Sequence, residues 1–149
     1  MKTLIAYFSL SGKTKKAAEK LKSITGGDLF EIKGEKNYGS YFKAIAIGGK
    51  EIATSELPKV TTHVKGFEAY DRILLGFPVW YGSCPRIIRS FAAEYDFSGK
   101  DVYVFCTSSA SGSKKSEETV KEICGGAAVH PSLRYNGQSD DELKAWLKK

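Results

Sequence analysis

The chain has 149 residues, the size of one domain, and at 42% hydrophobic and 12% aromatic it can bury a core without disulfide staples, which excludes disorder as its main state. Its 23 Lys and Arg against 17 Asp and Glu give a net charge of +6, raising nucleic acid or an anionic ligand as partners. The excess is local: residues 1–25 hold Lys2, Lys13, Lys15, Lys16, Lys20 and Lys22 against Glu19 alone, whereas a general polyanion binder more often spreads its cations over a broad face.

No apolar run approaches the roughly 20 residues of a membrane span. The opening Lys2–Phe8 lacks a small-residue cleavage site and runs into lysine-rich sequence, so it reads as a strand and not as a signal peptide. Cys84, Cys106 and Cys124 fit no zinc or Cys-x-x-Cys spacing. Three scattered thiols read as small buried hydrophobes in a reducing, cytoplasmic setting.

In chain order, Thr3 to Phe8 is an apolar run without alternation, the pattern of a strand buried on both faces. Ser9 to Thr14 is a small polar turn. From Lys13 to Ile24 the period becomes helical, with Thr14, Ala17, Ala18, Leu21 and Ile24 on one stripe and the lysines off it, and Gly26-Gly27 ends the helix. Leu29 to Lys33 is a second, shorter strand. Residues 34–66 are less regular; Tyr41, Ala44, Ile45, Gly48 and Ile52 form a helical stripe weakened by Gly48-Gly49. Arg72 to Phe77 is a third strand and Pro78 to Gly82 a loop. Ser83 is placed to cap the next helix, with Pro85 in its first turn and Ile87, Ile88, Phe91 and Tyr95 facing inward. Asp101 to Cys106 is a fourth strand, followed by a Ser/Gly/Ala loop, Thr107 to Ser113. A helix with Val120, Ile123 and Cys124 inward ends at Gly125-Gly126. Ala127 to Tyr135 is a fifth strand in which Pro131 marks an edge or a break. Ser139 and Glu142 form a capping box for a last helix held by Leu143, Trp146 and Leu147.

The βαβαβαβαβα order predicts one parallel sheet with helices on both faces, in which ligands bind beyond the carboxyl ends of the strands. Three loops fall there. Ser9-Leu10-Ser11-Gly12-Lys13-Thr14 joins a strand to a helix N-terminus, where unpaired N–H groups, three hydroxyls and a glycine suit a phosphate monoester, or else make a plain capped turn. It is not a nucleoside-triphosphate P-loop, which needs glycine five places before its Gly-Lys pair, where this chain has Tyr7. Pro78-Val79-Trp80-Tyr81-Gly82 offers two rings that could stack on an aromatic ligand or could equally belong to the core or rim. Thr107, Ser108, Ser109, Ala110 and Gly112 offer backbone and hydroxyl groups to a polar ring edge, a weak signal by itself.

Taken together, the loops are more specific. Ser9-x-Ser11-Gly12-x-Thr14, Gly76–Gly82 with Pro85, Tyr95–Lys100 with Phe105 and Thr107-Ser108, and Asn136-Gly137 before the last helix resemble the flavodoxin-like FMN-binding proteins, in their short subfamily, over essentially the whole chain. The resemblance implies a single-domain, three-layer α/β sandwich with a five-stranded parallel sheet in order 2-1-3-4-5. It also implies noncovalent FMN held by the three loops, with one- or two-electron chemistry at its ring. Two features depart from the familiar pattern: the chain is basic where those proteins are acidic, and residues 107–113 contain no aromatic ring to cover the outer flavin face. On the resemblance an electron carrier is expected first; an outer face left open to a substrate or hydride donor gives weight to a small FMN-dependent NAD(P)H:quinone-type reductase, expected second, and a flavin-free binding or regulatory module is third. The expected partner is a redox protein or a small-molecule acceptor, possible acidity being suggested by the lysines, with neither nucleic acid nor membrane involved. His63 and His130 lie away from the loops, and Cys84 and Cys106, though near them, have no evident base, so no catalytic residue and no metal ligand is expected.

Overall fold

The apolar runs expected to be buried on both faces form the centre of a parallel sheet. In a computed structural model, which describes all residues except 36–46, 48, 51–53, 55–56, 81–83 and 108–113, the central strands are Thr3–Tyr7 (β1), Arg72–Pro78 (β3) and Asp101–Thr107 (β4). Asp28–Glu31 (β2) flanks β1, and Ala128–Val129 (β5) and Leu133–Arg134 (β6) flank β4. The order is β2-β1-β3-β4-β5, with β6 also paired to β4, and every pairing is parallel. Five of five residues in β1 and five consecutive residues in β3 are buried, so sequence without alternation here means cover on both faces.

Among the described residues the helices Lys13–Thr25 (α1), Arg86–Ala92 (α2), Lys114–Ile123 (α3) and Asp140–Trp146 (α4) supply that cover. Ala17, Ala18 and Leu21 of α1 pack with Leu143 and Trp146 of α4 against Ile5, Tyr7, Leu74 and Phe105. On the other face Ile87, Ile88 and Phe91 of α2, with Val120 of α3, pack against Leu4, Ala6, Ile73, Leu75 and Val104. Odd and even residues of one strand thus enter two different cores, which is the period-two geometry of a strand between two layers. Gly76 marks a close approach inside this sandwich: a Cβ there would lie 2.1 Å from Cζ of Phe105.

Several boundaries differ from the sequence reading. Pro78 and Thr107, expected in loops, end β3 and β4 and pair with each other across the sheet. Pro can end a strand because only its N–H is missing, and its carbonyl remains available. Pro85 precedes α2 and does not sit in its first turn; its ψ of 147° is extended, not helical. The helix stops at Ala92, so Tyr95 reaches the core from the following turn, where its ring stacks on Phe67 at 4.5 Å. The expected fifth strand is two, β5 and β6, separated around Pro131. The second strand is Asp28–Glu31, shorter and earlier than Leu29–Lys33. The helical stripe placed on Tyr41–Ile52 and the Ser83 cap lie outside the described residues.

Candidate functional site

Because the strands are parallel and in register, their carboxyl ends emerge together. Tyr7 pairs with Gly76, Gly76 with Phe105, and Pro78 with Thr107. Two residues past Tyr7, the chain at Ser9 is therefore level with the ends of β3 and β4. This alignment brings the three predicted loops to one edge of the sheet.

The first turn is built around Ser9. Its Oγ accepts the N–H of Gly12 at 3.2 Å and of Lys15 at 3.3 Å. Both lone pairs are thereby used, which leaves the hydroxyl hydrogen free to donate outward. Gly12 occupies the N-cap of α1 with φ 90°, a left-handed conformation that disfavours side chains. Gly12 has no side chain to cap the helix, and Ser9 satisfies only the N–H of Lys15 among the first helical ones; among the described residues the N–H groups of Ser11, Lys13 and Thr14 have no acceptor. Ser11 and Lys13 are exposed, and Leu10 packs partly against the core. The turn thus carries unsatisfied donors, a free hydroxyl and the positive end of a 13-residue helix, with Lys13, Lys15 and Lys16 exposed beside it.

Thr14 behaves differently from a plain surface ligand. It is buried, and its Oγ1 lies 2.7 Å from Oγ1 of Thr107, also buried. Two hydroxyls in one hydrogen bond use one hydrogen, so the pair retains one more to offer. This contact ties the start of α1 to the end of β4. The backbone makes a second tie, since Val79 N–H donates to the Thr107 carbonyl at 3.0 Å. The first, second and third loops are therefore joined at Thr107. Sequence separation hid this: Thr14 and Thr107 are 93 residues apart.

Trp80 is partly buried, packs against the core, as Leu10 and Val79 also do, and meets Phe8 edge-to-face at 5.6 Å and 88°. Phe8 is 6% exposed, so it supports the indole from within. Phe8 was not singled out from sequence; its place immediately before the polar turn is the only signal that could have found it. Tyr81, Gly82, Ser108, Ser109, Ala110 and Gly112 lie outside the described residues.

The histidines are engaged in ion pairs and the thiols are buried. His63 pairs with Glu94 at 2.8 Å, and His130 pairs with Asp101 at 2.8 Å while stacking on Tyr103. Burial pushes the thiols of Cys106 and Cys124 up to about 12, so neither is a nucleophile near neutral pH. Cys84 is also buried. Among the described residues no group of three or more His, Cys, Asp or Glu could hold a metal ion. The Tyr95–Lys100 segment lies at the opposite edge of the sheet, before β4. There Nζ of Lys100 donates to the carbonyls of Tyr70 and Glu68, and Phe97 packs on Phe67. It is a clasp of the fold, not part of the site.

The comparisons agree with this arrangement. A family model described as Flavodoxin matches residues 2–149. A crystal structure from Bacteroides eggerthii DSM 20697 is 30% identical with a TM-score of 0.90, the match covering 99% of this chain and 96% of that one. A flavoprotein from Lactobacillus acidophilus NCFM, solved in complex with FMN, is 30% identical with a TM-score of 0.80, covering 98% of each chain. Flavodoxin 2 from Bacillus cereus, 23% identical over 95% of this chain and 91% of that one, shares the fold at a TM-score of 0.56. No curated protein matches. The chain belongs to the flavodoxin family.

Proposed function

We propose that this protein binds FMN noncovalently at the carboxyl edge of its sheet and serves as a cytoplasmic electron-transfer flavoprotein. The observation that carries the reading is the Ser9–Thr14 turn, whose free N–H groups and hydroxyl hydrogens converge at a helix N-terminus and match what a phosphate monoester accepts. The relative from Lactobacillus acidophilus, 30% identical over nearly the whole chain, was solved with FMN. Ser9, Ser11, Gly12, Lys13 and Thr14 would hold the phosphate, and Trp80 on its Phe8 support would pack on the ring system. Thr107 would fix the first loop against the third. When bound, the flavin supplies the redox chemistry; the protein supplies binding, orientation and electrostatics.

A second reading, a small FMN-dependent reductase of quinones with a nicotinamide donor, is favoured by one sequence fact. Residues 107–113 contain no aromatic ring, so this loop cannot stack one on the flavin. Adding FMN to flavin-free protein should quench the flavin fluorescence at one equivalent, and riboflavin should bind far more weakly. Equal affinity for both would remove the role of the Ser9–Thr14 turn, and no quenching by either would leave a flavin-free module. Steady oxidation of NADH or NADPH with a quinone, in place of electron delivery to a protein acceptor, would favour the reductase.

A further inference from the structure

The cations of this chain stand where helix stability alone would not put them. A helix N-terminus favours acidic side chains and disfavours basic ones. α4 follows this rule, opening on Asp140, Asp141 and Glu142. The three helices that follow the site loops do not. α1 opens on Lys13 with Lys15 and Lys16 and has no acid in its first turn. α2 opens on Arg86, again with no acid. α3 opens on Lys114 and Lys115; its first-turn acid, Glu117, is turned aside to accept from the N–H and hydroxyl of Ser132.

The structure also redistributes the charge that the sequence concentrates in residues 1–25. Lys2 lies at the opposite edge of the sheet, over the Tyr70 ring, and Lys20 pairs with Asp140 at 2.5 Å. Lys22 belongs to the last turn of α1. What remains at the site is Lys13, Lys15 and Lys16 on one face of the sheet and Lys114 and Lys115 on the other, all exposed. Among the described residues none of these five has a carboxylate partner within ion-pair distance. The nearest acids on the same helices are Glu19 on α1 and Glu117 and Glu118 on α3, of which Glu117 is engaged by Ser132 and Lys121. Two helix layers with a sheet between them place the two lysine groups about 20 Å apart, at roughly 10 Å per layer. That span is wider than a single phosphate or a small anion, and it suits the footprint of a protein.

We infer that this cationic rim is a docking surface for an acidic redox protein, which exchanges one electron at a time with the flavin held inside the rim. The inference rests on the FMN reading above. The charge arrangement steers an acidic partner to the carboxyl edge of the sheet, where the FMN site proposed above lies, and it repels basic ones. In each encounter one electron leaves the reduced flavin and reduces one oxidised metal centre of the partner by one unit.

The test uses FMN-loaded protein and cytochrome c in two forms, native (basic) and maleylated (acidic), which share one haem acceptor. Flavin content is measured first, so failure to load FMN counts against the proposed function and not against this inference. Reduced protein should reduce the maleylated form at least about tenfold faster at low salt, with a rate that falls as salt rises. A titration of the oxidised, isotope-labelled protein with the maleylated form should shift amides at the starts of α1 and α3. The variant K15E/K16E/K114E/K115E should lose the preference, whereas K65E/K144E/K148E/K149E, with the same charge change away from the rim, should keep it. Equal losses in both variants would show an effect of net charge only and would overturn the inference. So would amide shifts elsewhere, or equal rates with the native and maleylated forms at low salt. If the rim variant fails to hold flavin, the amide map of the unaltered protein decides.

Discussion

At the scale of single residues, the hydroxyl pair of Thr14 and Thr107 is the contact most dependent on both partners. Thr107→Val leaves a buried hydroxyl on Thr14 without its partner and should cost about 1–3 kcal/mol in urea unfolding. Thr14→Val should cost a similar amount. The double variant T14V/T107V should be less destabilised than the two losses added together, because both hydroxyls are then removed. Additive losses would show that the two side chains do not interact. Trp80→Ala tests the aromatic wall separately: FMN affinity should fall by about 1 kcal/mol or more beyond lost area, read by fluorescence titration. Ser9 was legible in sequence as a polar residue between strand and helix, but its task was not. A hydroxyl can serve as ligand or as brace, and the 3.2 Å and 3.3 Å bonds from Gly12 and Lys15 make it a brace with one hydrogen left over.

At the scale of elements, the sequence was most readable where a local rule acts alone. The capping box of α4 is present as expected: Ser139 Oγ accepts from Glu142 N–H, and the Glu142 carboxylate accepts from Ser139 N–H. Gly26, with φ 69°, ends α1 where two glycines predicted it. Boundaries that depend on neighbours were less readable. Pro78 lies in β3 because Thr107 is there to pair with it, and the Pro131 break is bridged by a contact from α3. Glu117 makes that bridge. Burial opposes its charge, but the N–H and hydroxyl of Ser132 and the nearby Lys121 outweigh burial and hold its carboxyl below the usual glutamate range. A folded-state value below the unfolded one stabilises the fold above the unfolded pKa, and this stability is lost as pH falls through the folded value. Glu117→Gln should therefore cost about 1 kcal/mol at neutral pH, the low side for bonds to a partly solvated charge. The difference from the unaltered protein should vanish in acid, as chemical denaturation across that range will show. A constant difference would mean that shape, not charge, holds Ser132.

At the scale of the whole molecule, the charge has consequences for redox balance as well as for docking. Cations at the start of α1 should favour an anionic reduced flavin and make its couple less strongly reducing than in acidic relatives. Exposed charges are screened by salt, so the couple should become more negative as the Debye length shortens from about 30 Å at 0.01 M to about 3 Å at 1 M. Reductive titration against reference dyes at the two salt concentrations measures this; a couple that is strongly negative at low salt and insensitive to salt would refute it.

What the sequence by itself determined was the type and order of helices α1 to α4 and of the strands up to the fifth, which the structure divides in two. Burial period, caps and glycine stops are local, and they suffice to imply a parallel sheet with its loops at one edge. The phosphate-type turn was legible for the same reason, being six consecutive residues between a strand and a helix. Only the tertiary structure decided which of the lysines stand at that edge, that Phe8 supports Trp80, and that Thr14 meets Thr107 across 93 residues. Those relations depend on strand register and on which face each helix covers. Both are set by packing between distant segments, and no window along the chain contains them.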